Sequence, residues 1–421
     1  MNNYKINNKW MVTIKKKNFL LLLFVAFSIL FSGATVTAAQ GIISLGFHRT
    51  LYLLYIFVGL MVTRKYIFQF KYWNGTLGIC ALICIILLLA NLINNPLSSF
   101  HFGIRVIWFL IIFCLCIFDR EKAVESVFIY YKVIILLSFA SLIVFVILSI
   151  YPLPYTIISS EDGYSYMKYL RFYYVMPNEI VTFPFISGNR VQCFFWEPGM
   201  FAVHLVLALY IELFIKIKQN IFNMFCLFIC ILLTNSTTGI ILGVGVVVAH
   251  LFLNKKLNNY IRTILIIPSL YIAILVIYNV WNEKTAVMFI GSSYGNRMAD
   301  IVLGVKLFLE NILIGVGYNN LESYAYVFQN QYGLSRGNSN GLIVWLFSTG
   351  LIGAIPVLFP FIKDLVISKR KIYSAIFVCI FFLLSMTEPI MTSPVMMFLI
   401  CSQYFKILSV SKKKNIFISF S

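Results

Sequence analysis

Arginine is the residue type that this sequence positions most suggestively. Arg190 and Glu197 share the run GNRVQCFFWEPG over 188–199, Arg297 follows Gly295 and Asn296, and Arg336 stands just ahead of Ser339 and Asn340 in RGNSNG. A guanidinium keeps its charge at any accessible pH and can grip two phosphate oxygens at once. Several of them beside an Asn/Ser cluster suit an anionic headgroup, with a diphosphate the natural ligand, and Arg171 is a further candidate contact. Glu197 is the carboxylate nearest to these motifs and the candidate proton acceptor. The sequence contains no Asp-x-Asp pair, HExxH run or Walker loop, so no metal and no cofactor is expected. Eight of the nine cysteines fall inside apolar runs, which leaves no disulfide framework to read.

Each candidate also has a purely structural reading. Arg49 and Arg105 lie within apolar runs, where a charge either faces a cavity or snorkels to the headgroups. Arg190 and Glu197 can pair at the start of a helix, with Pro198 in its first turn and Trp196 at the interface. The run TNSTTG over 234–239 suits a hinge whose hydroxyls satisfy freed backbone groups. Tyr164, Tyr166, Tyr169, Tyr173 and Tyr174, and later Tyr318, Tyr324, Tyr326 and Tyr332, offer rings that can stack on sugars or form an interfacial belt.

The elements that must position these residues are membrane spans. Of 421 residues, 61% are hydrophobic and 11% charged, against roughly 25% charged in a soluble domain. Apolar stretches long enough to cross the hydrocarbon core fall near 18–37, 42–62, 75–93, 102–118, 128–150, 198–215, 221–234, 237–253, 263–281, 341–362, 372–388 and 392–408. The expected fold is an all-α polytopic membrane protein, one membrane domain over 1–421. It has about 12 transmembrane helices and two long outer loops, near 151–192 and 282–340. The apolar run after Lys15, Lys16 and Lys17 is read as the first span and not as a cleaved leader, because many spans follow it.

Lys and Arg collect on the cytoplasmic side of membrane proteins. Threading the spans with the amino terminus inside puts 24 of the 33 basic residues in cytoplasmic segments and both termini in the cytoplasm. Merging 221–253 into one helix would send the basic clusters at 255–262, 363–371 and 406–414 to the other side. The net charge of +19 thus reflects topology and contact with anionic lipid, and no nucleic-acid role is expected. The remaining nine basic residues, Arg49, Arg105, Lys168, Arg171, Arg190, Lys284, Arg297, Lys306 and Arg336, fall towards the outer half. In the second loop, Met298, Ile301, Val302, Val305, Phe308, Leu309 and Ile312 recur at helical spacing, with Asp300, Lys306 and Glu310 on the remaining arc. That pattern predicts an amphipathic helix along the outer membrane surface.

Taken in order, these motifs resemble the O-antigen polymerase and ligase superfamily, bacterial enzymes that transfer glycan from an undecaprenyl-diphosphate carrier in the outer leaflet. The resemblance is most specific over 188–353. It rests on Arg190 with Glu197, Pro198, Gly199, Phe201 and Ala202; on Ser236 to Gly239; on Arg297 ahead of Gly315 and Gly317; and on Ser339 and Asn340 before Gly350 and Gly353. It implies a C-type glycosyltransferase-like fold in the bacterial inner membrane. The implied activity is metal-independent polymerisation of undecaprenyl-diphosphate-linked oligosaccharide units into O-antigen or capsular polysaccharide. The implied partners are that lipid-linked oligosaccharide, membrane lipid and a chain-length regulator protein. By the same resemblance Arg190 and Arg297 hold the donor diphosphate and Glu197 stands as the candidate base. Arg171, Arg336, Ser339, Asn340, Arg49 and Arg105 are the candidate substrate contacts. Ligase members carry a His where this sequence has Ser339, which favours a polymerase. A ligase, and a flippase or transporter of the same lipid-linked glycan, are the alternatives; no paired half-repeat of a transporter is seen.

Overall fold

The computed structural model describes residues 19–38, 42–67, 75–151, 153–160, 165–170, 173–177, 180–182, 187–254, 293–333, 336–368 and 371–405, and the single positions 260, 267, 271, 274, 278 and 407. Apolar runs become helices because hydrocarbon offers no partner for backbone N–H and C=O groups, so each span must bond within itself. The helices are α1 (Phe19–Leu30), α2 (Leu45–Ile67), α3 (Gly75–Asn94), α4 (Ser99–Phe118), α5 (Arg120–Ile150), α6 (Pro198–Tyr210, continued by a π turn over Ile211–Ile215), α7 (Ile221–Leu233), α8 (Thr237–Leu253), α9 (Ser293–Glu310), α10 (Leu321–Tyr332), α11 (Gly341–Ile367), α12 (Lys371–Thr387) and α13 (Pro394–Tyr404). Among the described residues, six helical stretches are long and apolar enough to cross a membrane, and α1, α7, α8, α12 and α13 are shorter apolar helices. The span expected near 263–281 lies outside the described residues, apart from isolated positions.

The stretch Pro198–Ile215 is the axis of the bundle: 94% of it is buried, against 28% to 56% for the other five long stretches. It packs on α5, α7 and α8, while α1 and α4 pack on α2, and α13 packs on α4. One hydroxyl and imidazole chain inside the bundle is fully paired. Tyr130 Oη meets His204 Nδ1 at 2.9 Å, and His204 Nε2 meets the Ser32 carbonyl at 2.9 Å.

The all-α expectation needs correction in the first loop. There β1 (Thr156–Ser159), β2 (Ser165–Tyr169) and β3 (Tyr173–Val175) form an antiparallel sheet in that order, and β4 (Ile180–Thr182) pairs with β5 (Ser187–Asn189). The tyrosines of this loop are its core: Tyr166, Tyr169, Tyr173 and Tyr174 are all buried, which is not the surface expected of rings that stack on sugars. Tyr164 lies outside the described residues.

The second loop holds α9 and α10. Ala299, Leu303 and Leu307 of α9 pack with Tyr324 and Phe328 of α10 and with Ile343 and Phe347 of α11. Asp300 belongs to this buried face and not to the polar arc expected for it. Met298, Val302, Val305 and Leu309 form an exposed apolar row, so the helix meets three environments instead of two.

Helix α11 is broken at Gly350, whose φ of 61° and ψ of −160° leave the helical region. The break at Gly350 admits the loop that follows α9. Val316 N and Gly317 N donate to the Phe347 and Ser348 carbonyls at 2.8 and 3.0 Å, and Leu351 N donates to the Ile312 carbonyl at 2.8 Å. The groups freed by the break are thereby satisfied inside the protein. A Cβ on Gly350 would stand 2.4 Å from the Leu313 carbonyl oxygen. Gly350→Ala is therefore expected to destabilise the protein by about 1–3 kcal/mol through left-handed strain, with the clash adding to it. A lowered Tm in detergent checks this against Gly245→Ala, where an added Cβ meets nothing within 4 Å.

Candidate functional site

Arg190 and Glu197 are the two ends of a strap that joins β5 to α6, and the strap is tied down from three directions. Val191 N donates to the Leu233 carbonyl of α7 at 3.0 Å, Tyr174 N to the Cys193 carbonyl at 2.8 Å, and Thr35 N to the Phe194 carbonyl at 2.8 Å. Trp196 N donates back to the Gly33 carbonyl at 3.0 Å. Gln192, fully buried, donates to the carbonyls of Phe195 and Trp196 and accepts from Met176 N. A segment held this way fixes both of its charged ends without the two needing each other.

Arg190 accordingly does not rely on Glu197. Its Nε donates to the Thr234 carbonyl at 2.7 Å and its Nη2 to the Asn235 carbonyl at 3.4 Å. These are unpaired carbonyls at the negative end of α7. The hinge over 234–239 thus has two structural duties: it anchors Arg190, and Ser236 Oγ accepts Gly239 N to cap α8. A Cβ on Gly239 would lie 2.6 Å from that of Ala202, so α8 can sit directly against α6.

Glu197 occupies the cap position of α6, but its side chain makes no cap hydrogen bond. It hydrogen-bonds Glu388 instead. Glu388 lies in the connection between α12 and α13, outside both helices, and is 7% exposed. Two glycines make room for it. A Cβ on Gly199 would stand 2.5 Å from Glu388 Oε1, and one on Gly341 would stand 2.2 Å from the Glu388 carbonyl. Burial, with Glu197 beside it, pushes the Glu388 carboxyl well above the usual glutamate range, while the cations Arg297 and Arg190 pull the other way and lose. Arg190, Glu197, Arg297 and Glu388 therefore form one electrostatic group: a hydrogen-bonded carboxyl pair, with Glu388 held towards its protonated form, near two guanidinium groups.

The other candidates go elsewhere. Arg336 Nη2 and the Ser339 amide and hydroxyl all donate to Asp300 Oδ2, at 3.0, 3.0 and 2.6 Å, and Tyr324 donates to Oδ1 at 2.6 Å. Asn340 caps α11 by accepting Ile343 N at 3.1 Å. Arg336, Ser339 and Asn340, expected as substrate contacts, thus hold α9 to the start of α11 through these bonds, while Arg336 Nη1 has no hydrogen-bond partner among the described residues. Arg49 and Arg105 lie near the starts of α2 and α4 in a separate cationic group. Arg171 lies outside the described residues.

Glu388 is the residue that sequence reasoning missed. It fell inside the expected span at 372–388, and the signal that could have found it was a lone carboxylate followed by Pro389 between two apolar runs.

Linkage gives a test of the carboxyl pair. The unfolded chain ionises Glu388 in the usual range, whereas the folded chain keeps the proton to higher pH, so the folded state binds more protons in between. Stability should fall as pH rises from the usual glutamate range towards the raised value of Glu388. Glu388→Gln is expected to flatten that fall, read as Tm in detergent from about pH 4 to about pH 8. Parallel curves for wild type and variant would contradict a buried, protonated Glu388.

Residues 222–358 match the family model described as O-antigen ligase. No curated protein matches the chain. The matched segment runs from α7 into α11 and includes Arg297, Asp300, Arg336 and the break at Gly350, whereas Arg190, Glu197 and Glu388 lie outside it.

Proposed function

We propose that this chain, a member of the O-antigen polymerase and ligase superfamily, is a metal-independent glycosyltransferase of the plasma membrane. It polymerises undecaprenyl-diphosphate-linked oligosaccharide units into O-antigen or capsular polysaccharide on the outer face. The observation that carries this reading is the hydrogen-bonded pair Glu197 and Glu388 set beside Arg190 and Arg297.

The chemistry follows from those four groups. A hydroxyl oxygen of the acceptor sugar attacks the anomeric carbon of the donor, and the bond from that carbon to the diphosphate oxygen breaks with its electron pair left on the diphosphate. Arg190 and Arg297 stabilise the charge that develops there, in the role a divalent cation takes in other glycosyl transfers. The acceptor proton passes to Glu197, the candidate base, while burial favours the protonated form of its partner Glu388. The low-dielectric setting of Glu388 keeps the base from being too weakly basic for an alcohol. Two lipid-tethered substrates held at one membrane face supply the rest by proximity.

Ser339 favours polymerisation over ligation, because its hydroxyl is committed to Asp300 and no imidazole stands there. The ligase reading is favoured in turn by the description of the matched family itself.

The glycan ladder of cells lacking the gene separates the two. Complementation with wild type should convert a single-repeat product into a ladder. Arg190→Ala, Arg297→Ala and Glu388→Gln, at equal membrane levels, should each reduce polymer on the order of a hundredfold. Full activity in both arginine variants would sink the clamp. Normal ladders that fail only to reach their final acceptor in the deletion strain would make the protein a ligase.

A further inference from the structure

A second cationic group lies at the same end of the bundle, and among the described residues no carboxylate pairs with it. Arg105 in α4 stacks its guanidinium 4.3 Å from the Trp108 ring and 5.6 Å from the Tyr52 ring. His48 in α2 packs its ring 4.5 Å from that of Tyr52, and the His101 ring lies 6.4 Å from Tyr52. Arg105 is within electrostatic reach of both histidines, and Arg49 of His101. Among the described residues, no acidic side chain pairs with Arg49 or Arg105.

Among the described residues, one donor in this group is orphaned: Arg105 Nη1 is buried and has no hydrogen-bond partner. His48 bonds the Thr37 backbone through its other ring nitrogen, and its buried Nε2, also without a partner, becomes a donor when the ring is protonated. A buried donor left unmet is costly, and a cationic one more so, which is why such groups normally find acceptors. The rings of Trp108 and Tyr52 attract the guanidinium and hold its plane, yet offer its N–H edge no lone pair. An unmet guanidinium donor, with a histidine nitrogen that can take up a proton beside it and further positive charge around both, fits an external ligand that is anionic and has several acceptor oxygens. A phosphate group is that ligand.

Location then narrows the source. Tyr318 stacks on Phe102 of α4 at 5.0 Å, and its hydroxyl approaches Thr392 Oγ1 at 3.5 Å. Thr392 belongs to the connection between α12 and α13 that also carries Glu388. Tyr318 thus links α4, within electrostatic reach of Tyr52, to the connection that carries Glu388.

We propose that His48 and Arg105, with Arg49 and His101 at the rim, bind the diphosphate headgroup of the acceptor's carrier lipid, as a second anion site apart from Arg190 and Arg297. The proposal rests on the function proposed above: transfer between two diphosphate-linked lipids needs two like anions, one for the leaving group and one for the incoming acceptor. Each site then holds one lipid, and the carboxyl pair lies between them.

Binding of undecaprenyl diphosphate to the full chain in phosphatidylcholine nanodiscs tests this. Wild type should bind two equivalents, and Arg105→Gln and His48→Gln should each weaken one of them by about tenfold or more. Arg105→Lys, which keeps the charge and loses the fork, should weaken it less. Retention of both equivalents at wild-type affinity in Arg105→Gln and His48→Gln overturns the proposal, as does loss of both equivalents in a variant that still elutes as a single species. Displacement of the second equivalent by phosphatidylglycerol at bilayer concentration would assign the site to bulk anionic lipid and overturn the acceptor role. If Arg190→Ala with Arg297→Ala leaves both equivalents intact while Arg105→Gln loses one, the donor clamp fails and the second site stands.

Discussion

The break in α11 at Gly350 is the constraint from which the rest of the site end is built. Opening a helix within an apolar bundle exposes carbonyls and amides that water cannot reach, and the segment 312–317 satisfies them in both directions. That segment is then committed, and so is everything attached to it. Asn94 donates to the Gly315 carbonyl at 2.8 Å, and Asn95 and Ser98 donate to the Tyr318 carbonyl at 3.0 and 2.6 Å, which moors the turn between α3 and α4. Upstream, the same segment fixes the end of α9 and so the position of Arg297; downstream, it presents Tyr318 to Thr392. A change in the α11 break would displace groups on four helices at once.

Much of this architecture is legible in the sequence because hydrocarbon is a strict solvent. Apolar runs interrupted by basic clusters give the spans, and the order of Arg190, Glu197 and Arg297 along the chain points to one functional end. What stays hidden has specific causes. The strands of the first loop are only three to five residues long, too short for alternation to stand out, and their tyrosines read as an interfacial belt when they are the interior of a small sheet. Asp300 looked solvent-facing because a two-sided helical wheel has no place for a face that packs on Tyr324 and Phe347 while a neighbouring apolar row stays exposed. Glu388 was absorbed into an apolar run because hydropathy averages one carboxylate away. Its partner, Glu197, is distant in sequence, and nothing local to either residue announces the other.

The arginines illustrate how a partner decides a role. Arg336 meets Asp300 in a site where the carboxylate is fully buried and also accepts from Ser339 and Tyr324; its charge is neutralised, and breaking that pair would leave a buried ion without compensation. That is the signature of a residue that holds structure. Arg190 donates to the main-chain carbonyls of Thr234 and Asn235, whose dipoles orient the guanidinium. Arg105 is anchored through ring faces, which hold its plane and leave its net charge in place. A group positioned by ring faces and still charged at a membrane interface is matched to an anion that arrives from outside.

The carboxyl pair fits that logic from the opposite sign. Gly199 makes room for Glu388 beside Glu197, and burial with that neighbour favours the protonated form of Glu388, so it adds little negative charge next to the arginines. With Arg190 and Arg297 beside it, the local field stays positive enough to admit a diphosphate, which a doubly ionised pair would repel. Moving Glu388 into solvent would therefore do more than alter one base. It would restore a second negative charge next to the arginines and set the two halves of the site, anion capture and proton uptake, against each other.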